Sequence, residues 1–189
     1  MPASPPDESV PVRLMNTVWA DRSGRYDDLA DVDDLRAWLA ANGAPAEAVD
    51  EAHLARFRTL RDALRRLAAF RTGDDRERAA SPTVDVAQAI SDVNEAAALA
   101  PAGDLLDVAG GELRLKAAEG DAVNRRLSVI AAQSIEFLAG PEGSRLRACL
   151  APVCVLYFTK DHPRREWCSP GCGNRARVAR HYARHKEER

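Results

Sequence analysis

Apolar residues recur at steps of three and four along most of the chain, the signature of helices. Leu54, Phe57, Leu60, Leu64, Leu67 and Phe70 define one face of a long helix, which Ala44 and Pro45 are expected to open. The arginines between them (Arg56, Arg58, Arg61, Arg65 and Arg66) fall mostly off that face and read as a solvated basic surface. A shorter helix carries Leu35, Trp38 and Leu39, capped by Asp31 or Asp33 and ended near Asn42-Gly43. Pro82 starts a third, through Val86, Ala87, Ile90, Val93 and Ala97, ending before Pro101. A fourth covers residues 122–138 and turns Val123, Leu127, Ile130 and Phe137 inward. The period changes once. Residues 104–109 and 112–117 flank Gly110-Gly111, and Leu113 and Leu115 alternate with Arg114 and Lys116, which predicts a β-hairpin. Residues 12–19 read either as a short strand or as a first helical turn. Residues 21–28 and 73–81 read as polar loops, and the Pro- and acid-rich residues 1–10 as a disordered N-terminus.

The expected fold is therefore mainly α: a helical domain over 11–140 with one small hairpin, then a second module over 145–189 beyond the Gly140, Pro141 and Gly143 linker. The helical part offers little chemistry. It has no Gly-rich phosphate loop and no His-Glu metal pair, and its carboxylates are scattered over helix surfaces. No catalytic set emerges, so an enzyme is not expected. His53 reads as a partly exposed helix-surface histidine. Asn16, Thr17 and Trp19 form the one candidate ligand pocket, with a helix cap or turn as the plain structural alternative for Asn16 and Thr17.

Composition adds two things. With 5% aromatic residues in 189, the core must lean on Leu, Val and Ala. No apolar run approaches the ~20 residues of a membrane span, and residues 1–10 lack the basic start and apolar stretch of a signal peptide, so a cytoplasmic location is expected. The net charge of −2 hides an asymmetry. Residues 145–189 hold 11 Lys and Arg against 4 Asp and Glu, a net of +7, which leaves −9 for residues 1–144. A basic module on an acidic body calls for an anionic partner, or else for docking on that body.

All four cysteines lie in the basic module. Four residues lie between Cys149 and Cys154, thirteen follow, and three lie between Cys168 and Cys172. Two close pairs across a short loop suit four thiolates around one tetrahedral zinc ion, and a full set of cysteines leaves no open position for catalysis. Only 45 residues are available, too few for an independent apolar core, so a structural metal meets a need. Pro152-Val153-Cys154 reads as a tight knuckle and residues 155–158 as a strand. Residues 160–163 read as a turn and 164–167 as the return strand. Ser169-Pro170 caps a closing helix whose first turn holds Cys172. Knuckle, hairpin and helix make a treble-clef-like module. His162 reads as an exposed turn histidine rather than a ligand.

Trp167-Cys-Ser-Pro-Gly-Cys-Gly-Asn-Arg175 contains Cys-Gly-Asn-Arg at 172–175. With the upstream Cys149 and Cys154 and the basic closing helix, it resembles the CGNR zinc-finger family. In that family the finger follows a helical ABATE domain in bacterial stress-induced transcription regulators, and Leu14-Met-Asn-Thr17 resembles the Asn-Thr element near the start of such domains. The resemblance implies a DNA-binding transcription regulator with one structural zinc. Its body would sense a small-molecule effector or dimerise. At ~100° per residue, Arg177, Arg180, His181 and Arg184 fall on one cationic stripe of the last helix, and Ala176, Val178, Ala179, Tyr182 and Ala183 on an apolar back. With Arg164 and Arg165 of the hairpin, that stripe is the candidate DNA surface. Arg175 falls on the apolar side and is assigned a structural role, pairing with Glu166 or a knuckle carbonyl. Asn174 is expected to bond knuckle backbone. The alternative is a zinc-stabilised protein-interaction adaptor that never touches DNA.

Overall fold

The structure is a computed structural model, and it describes residues 8–44, 48–100, 105–109, 112–116 and 120–187. The chain opens with α1 (Val10–Met15), which has Pro11 in its first turn. A short hairpin follows, β1 (Val18–Ala20) against β2 (Arg25–Asp27), antiparallel with Trp19 opposite Tyr26. Their rings stack at 4.3 Å. Residues 21–28 were expected to be loop. They fold back because the Asp21 carboxylate accepts the amides of Ser23 and Gly24 and sets the turn.

Each longer helix before the C-terminal module starts at an aspartate. Asp31 caps α2 (Val32–Ala41), accepting the Asp34 amide. Asp50 caps α3 (Glu51–Thr72) and accepts the His53 amide, while the His53 ring faces the Asp50 amide. The long helix therefore begins well after Ala44; Pro45 lies outside the described residues. Asp85 caps α4 (Val86–Ala98), so Pro82 precedes that helix instead of starting it. Asp121 caps α5 (Ala122–Ala139), accepting the Val123 and Asn124 amides. Between α4 and α5, β3 (Leu105–Ala109) pairs antiparallel with β4 (Glu112–Lys116), Leu106 opposite Leu115. The Gly110-Gly111 turn itself lies outside the described residues. After a 3-10 turn over Pro141–Arg145 come β5 (Leu146–Ala148), β6 (Tyr157–Thr159) and α6 (Pro170–Glu187).

Helices α1, α3, α4 and α5 close over one core of Leu14, Met15, Phe57, Leu60, Leu64, Leu127 and Ile130. Leu146 and Tyr157 belong to the same core, so the C-terminal module is built into the body. Two expected core positions are not covered: Phe70 is 67% exposed and Ile90 49%.

Three further expectations are corrected. Disorder over residues 1–10 falls largely outside the described residues, but Glu8 is buried and α1 begins at Val10. The arginines of α3 are not all solvated. Arg65 is fully buried, and its two terminal nitrogens donate to the carbonyls of Met15, Val18, Ala79 and Val155. Those four carbonyls end or interrupt separate elements and would otherwise lack partners, which is what a forked cation inside a protein can supply. Burial pushes Arg65 down to about 10, so it stays charged at neutral pH. Arg61 is buried beside Asp27 and Asp62, at 2.5 and 2.9 Å. His53 is buried too, and its Nε2 lies 2.7 Å from the Asp121 carboxylate, joining the start of α3 to the start of α5.

Candidate metal centre

The centre is assembled from two turns. Strand β5 delivers Cys149, whose amide donates to the Leu156 carbonyl. The chain then reverses through Pro152 and Val153, and the Cys154 amide closes on the Ala151 carbonyl at 3.0 Å. Val153 sits at φ 63, in the left-handed region, the one non-glycine residue there among those described. The second turn is the start of α6. Ser169 accepts the Cys172 amide with its hydroxyl and the Gly173 amide with its carbonyl. A Cβ on Gly173 would stand 3.1 Å from Cδ1 of Trp167, so the glycine lets that indole lie against the helix.

Strand β6 pairs with β5, Arg147 opposite Phe158, and not with residues 164–167 as expected. Residues 162–165 form a turn, with the Arg165 amide on the His162 carbonyl. The hairpin therefore encloses the knuckle: the strand preceding Cys149 pairs with β6, and residues 164–167 form no strand. His162 is exposed and its ring accepts the Arg164 amide.

All four thiols are buried, and their sulfurs lie within 4.8 Å of one another. None forms a disulfide. Zinc–sulfur bonds of about 2.3 Å in a tetrahedron place sulfurs about 3.8 Å apart; Cys154 and Cys168 stand at 3.8 Å and Cys168 and Cys172 at 3.3 Å. Four buried thiols side by side cannot all ionise on their own. Hydrogen bonds from Cys154 and Cys168 pull Cys149 down to about 7, while hydrogen bonding with the neighbouring cysteines, burial and nearby negative charge push Cys154 and Cys168 up. A dication removes that conflict. The donor set is four thiolates with no other ligand type, so one structural zinc suits it and the ion would hold the knuckle to the helix. Arg175 donates to the Cys172 sulfur at 2.8 Å. Its partner is thus a cysteine sulfur rather than the expected Glu166 or knuckle carbonyl. Asn174 does not bond the knuckle backbone; it is exposed and accepts from Arg177.

The module is fastened to the body by polar contacts that sequence reasoning did not find. Asn16 lies against β6, its amide nitrogen donating to the Tyr157 carbonyl at 2.8 Å and its oxygen accepting the Tyr157 amide at 2.9 Å. Thr17 caps the end of α1 through the Leu14 carbonyl. Trp19 donates to Asp28 and packs on the module's own cluster. The polar groups of Asn16, Thr17 and Trp19 are thus spent on protein partners, Asn16 across the junction and the other two within the body. Arg76 reaches the carbonyls of Cys149 and Cys154 at 3.1 and 2.8 Å while paired with Asp74. Burial would raise Asp74, but Arg76 outweighs it and holds the carboxyl below 3.8. Arg165 turns inward as well, to Glu8, to the carbonyls of Thr159 and Cys168, and over the Phe158 ring at 5.0 Å.

Of the candidate nucleic-acid contacts, Arg164, Arg177, Arg180, His181 and Arg184 lie on the surface. Ala176 is the last buried residue of α6, and every side chain described beyond it is exposed. The expected apolar back is therefore open, with Val178 at 42% and Tyr182 at 71%. Arg177, Arg180 and Arg184 form no ion pair among the described residues, so the stripe is not docked on the acidic body.

A family profile with the description "ABATE: Putative stress-induced transcription regulator" matches residues 8–141. A second, the CGNR zinc finger, matches residues 145–185. A search of curated proteins gave no match. No helix among the described residues is long and apolar enough to cross a membrane.

Proposed function

From the premise that this chain belongs to the ABATE family and ends in a CGNR zinc finger, we propose that it is a DNA-binding regulator without catalytic activity. Zinc folds the knuckle and seats α6, and α6 meets DNA through Arg177, Arg180, His181 and Arg184, with Arg164 beside it. The helical body senses an effector or pairs two copies. The carrying observation is the α6 stripe. Beyond Ala176 this helix is exposed on every side, and its three arginines have no carboxylate partner among the described residues, which leaves their charge free for an anionic partner. Such a helix, anchored at its first turn, can lie along phosphates or enter a groove. Arg165 is left out of the contact set because its guanidinium holds Glu8.

A protein-adaptor reading rests on a different observation, the exposed Val178 and Tyr182 on the same helix. Fluorescence anisotropy separates the two. Zinc-loaded protein is titrated into the gene's own upstream duplex and a scrambled one at several salt concentrations, alongside an Arg177/Arg180/Arg184→Ala variant. The regulator binds the upstream duplex tightly with a steep salt slope, and the variant loses it. Failure to bind either duplex, from protein holding one zinc, overturns the reading in favour of the adaptor.

A further inference from the structure

Phe70 of α3, Ile90 of α4 and Ile135 of α5 are 67, 49 and 39% exposed, and all three border one groove of about 310 Å³ on the face of the body where these helices meet. Leu67 supplies part of its floor, and the polar lining is confined to Arg71 and Asn94, with no carboxylate. Arg71 donates through Nε to the Gly143 carbonyl at 2.7 Å, and its two terminal nitrogens have no partner among the described residues. The guanidinium is thus held in place with four of its five N–H donors unspent among the described residues, beside an apolar hollow of the size of a small-ligand site, about 300 Å³ or more.

We propose that this groove binds a small amphiphilic carboxylate, its apolar tail between α3, α4 and α5 and its carboxylate on Arg71. The neighbouring hollow, on the other side of α4, sets two carboxylates, Asp92 and Glu95, against the single cation Arg56, and suits the same molecule less well. The assignment rests on the reading of the body as the sensing half and gives that half a ligand class. A ligand on Arg71 also touches the finger's tether, because Gly143 precedes β5 and is itself tightly seated, with a Cβ there only 2.7 Å from the Leu138 carbonyl.

The test is calorimetric titration of the zinc-loaded full chain, without DNA, using octanoate and, as the uncharged counterpart, 1-octanol. Octanoate is expected to bind once per chain, at least tenfold tighter than octanol. Arg71→Met should erase that preference while leaving octanol binding within about twofold. Ile90→Asp should reject octanoate, while Asp92→Asn in the other hollow should not change it. Equal affinity for the two probes, an undiminished preference in Arg71→Met, or no heat with octanoate overturns the proposal. So does a wild-type dimer in sedimentation that Phe70→Asp makes monomeric without any octanoate binding. Because no DNA is present, a chain that binds octanoate but no duplex fails only the regulator reading, and the converse fails only this one.

Discussion

At the scale of single residues, the knuckle carries a cost that the metal offsets. Val153 is β-branched and sits at φ 63, a conformation that costs of order 1–3 kcal/mol outside glycine. Glycine gives back about 0.5–1 kcal/mol of chain entropy. Val153→Gly should therefore stabilise zinc-loaded protein by about 1 kcal/mol in urea denaturation. Arg65 carries the opposite expectation. Its fork satisfies four carbonyls from four segments, so Arg65→Met should destabilise by about 3–5 kcal/mol. Arg65→Lys should not rescue, because one ammonium cannot span the planar set. Neither residue declared its role in the sequence. Arg65 looks in the sequence like its half-buried neighbours Arg58 and Arg66, and only the convergence of α1, β1 and the finger on one turn of α3 sets it apart.

Between elements, the junction of body and finger is a strand edge completed by a side chain. The Asn16 amide presents one donor and one acceptor to Tyr157, as a neighbouring strand would. Asn16→Asp keeps the acceptor and loses the donor, leaving the Tyr157 carbonyl unpaired in a buried setting. It should cost about 1–3 kcal/mol and speed exchange of the β6 amides, read by hydrogen exchange. Asp74 and Arg76 make a second tie, through the Cys149 and Cys154 carbonyls. Asp74 is held below 3.8, so its contribution is complete above that value and is lost as pH falls through the lower folded value. The stability difference between wild type and Asp74→Asn should accordingly be constant near neutrality and shrink to nothing under strong acid. Urea midpoints of both proteins from about pH 6 to about pH 2 check it.

For the whole molecule, the shared core decides how the chain unfolds. Leu146 and Tyr157 sit in the body's cluster, and Glu8 at the start of the chain holds both Arg165 and the Thr159 amide in the finger. Zinc in a site of this type contributes about 10–16 kcal/mol of apparent binding free energy. Chelation should therefore melt the finger and weaken the helical body with it, lowering the single circular-dichroism transition of the intact chain. Two independent transitions, with the body's unchanged by chelation, would contradict the shared core.

Much of this was legible in the chain because it is local. Helical period marks α2 through α5, Asp31 marks the start of α2, and four cysteines in two close pairs mark the metal site, since a ligand set must be spelled out residue by residue. The Cys-Gly-Asn-Arg stretch carries its own physics: the glycine admits Trp167 and the arginine meets a thiolate. What the sequence could not express are relations between distant segments. The pairing of β6 with β5 rather than with residues 164–167 is such a relation. So are the inward turn of Arg65 and Arg165, the burial of His53 against Asp121, and the use of Asn16 as a strand. Each depends on which unpaired backbone group or charge is brought within about 3 Å by packing of the whole, and a one-dimensional pattern does not hold that distance.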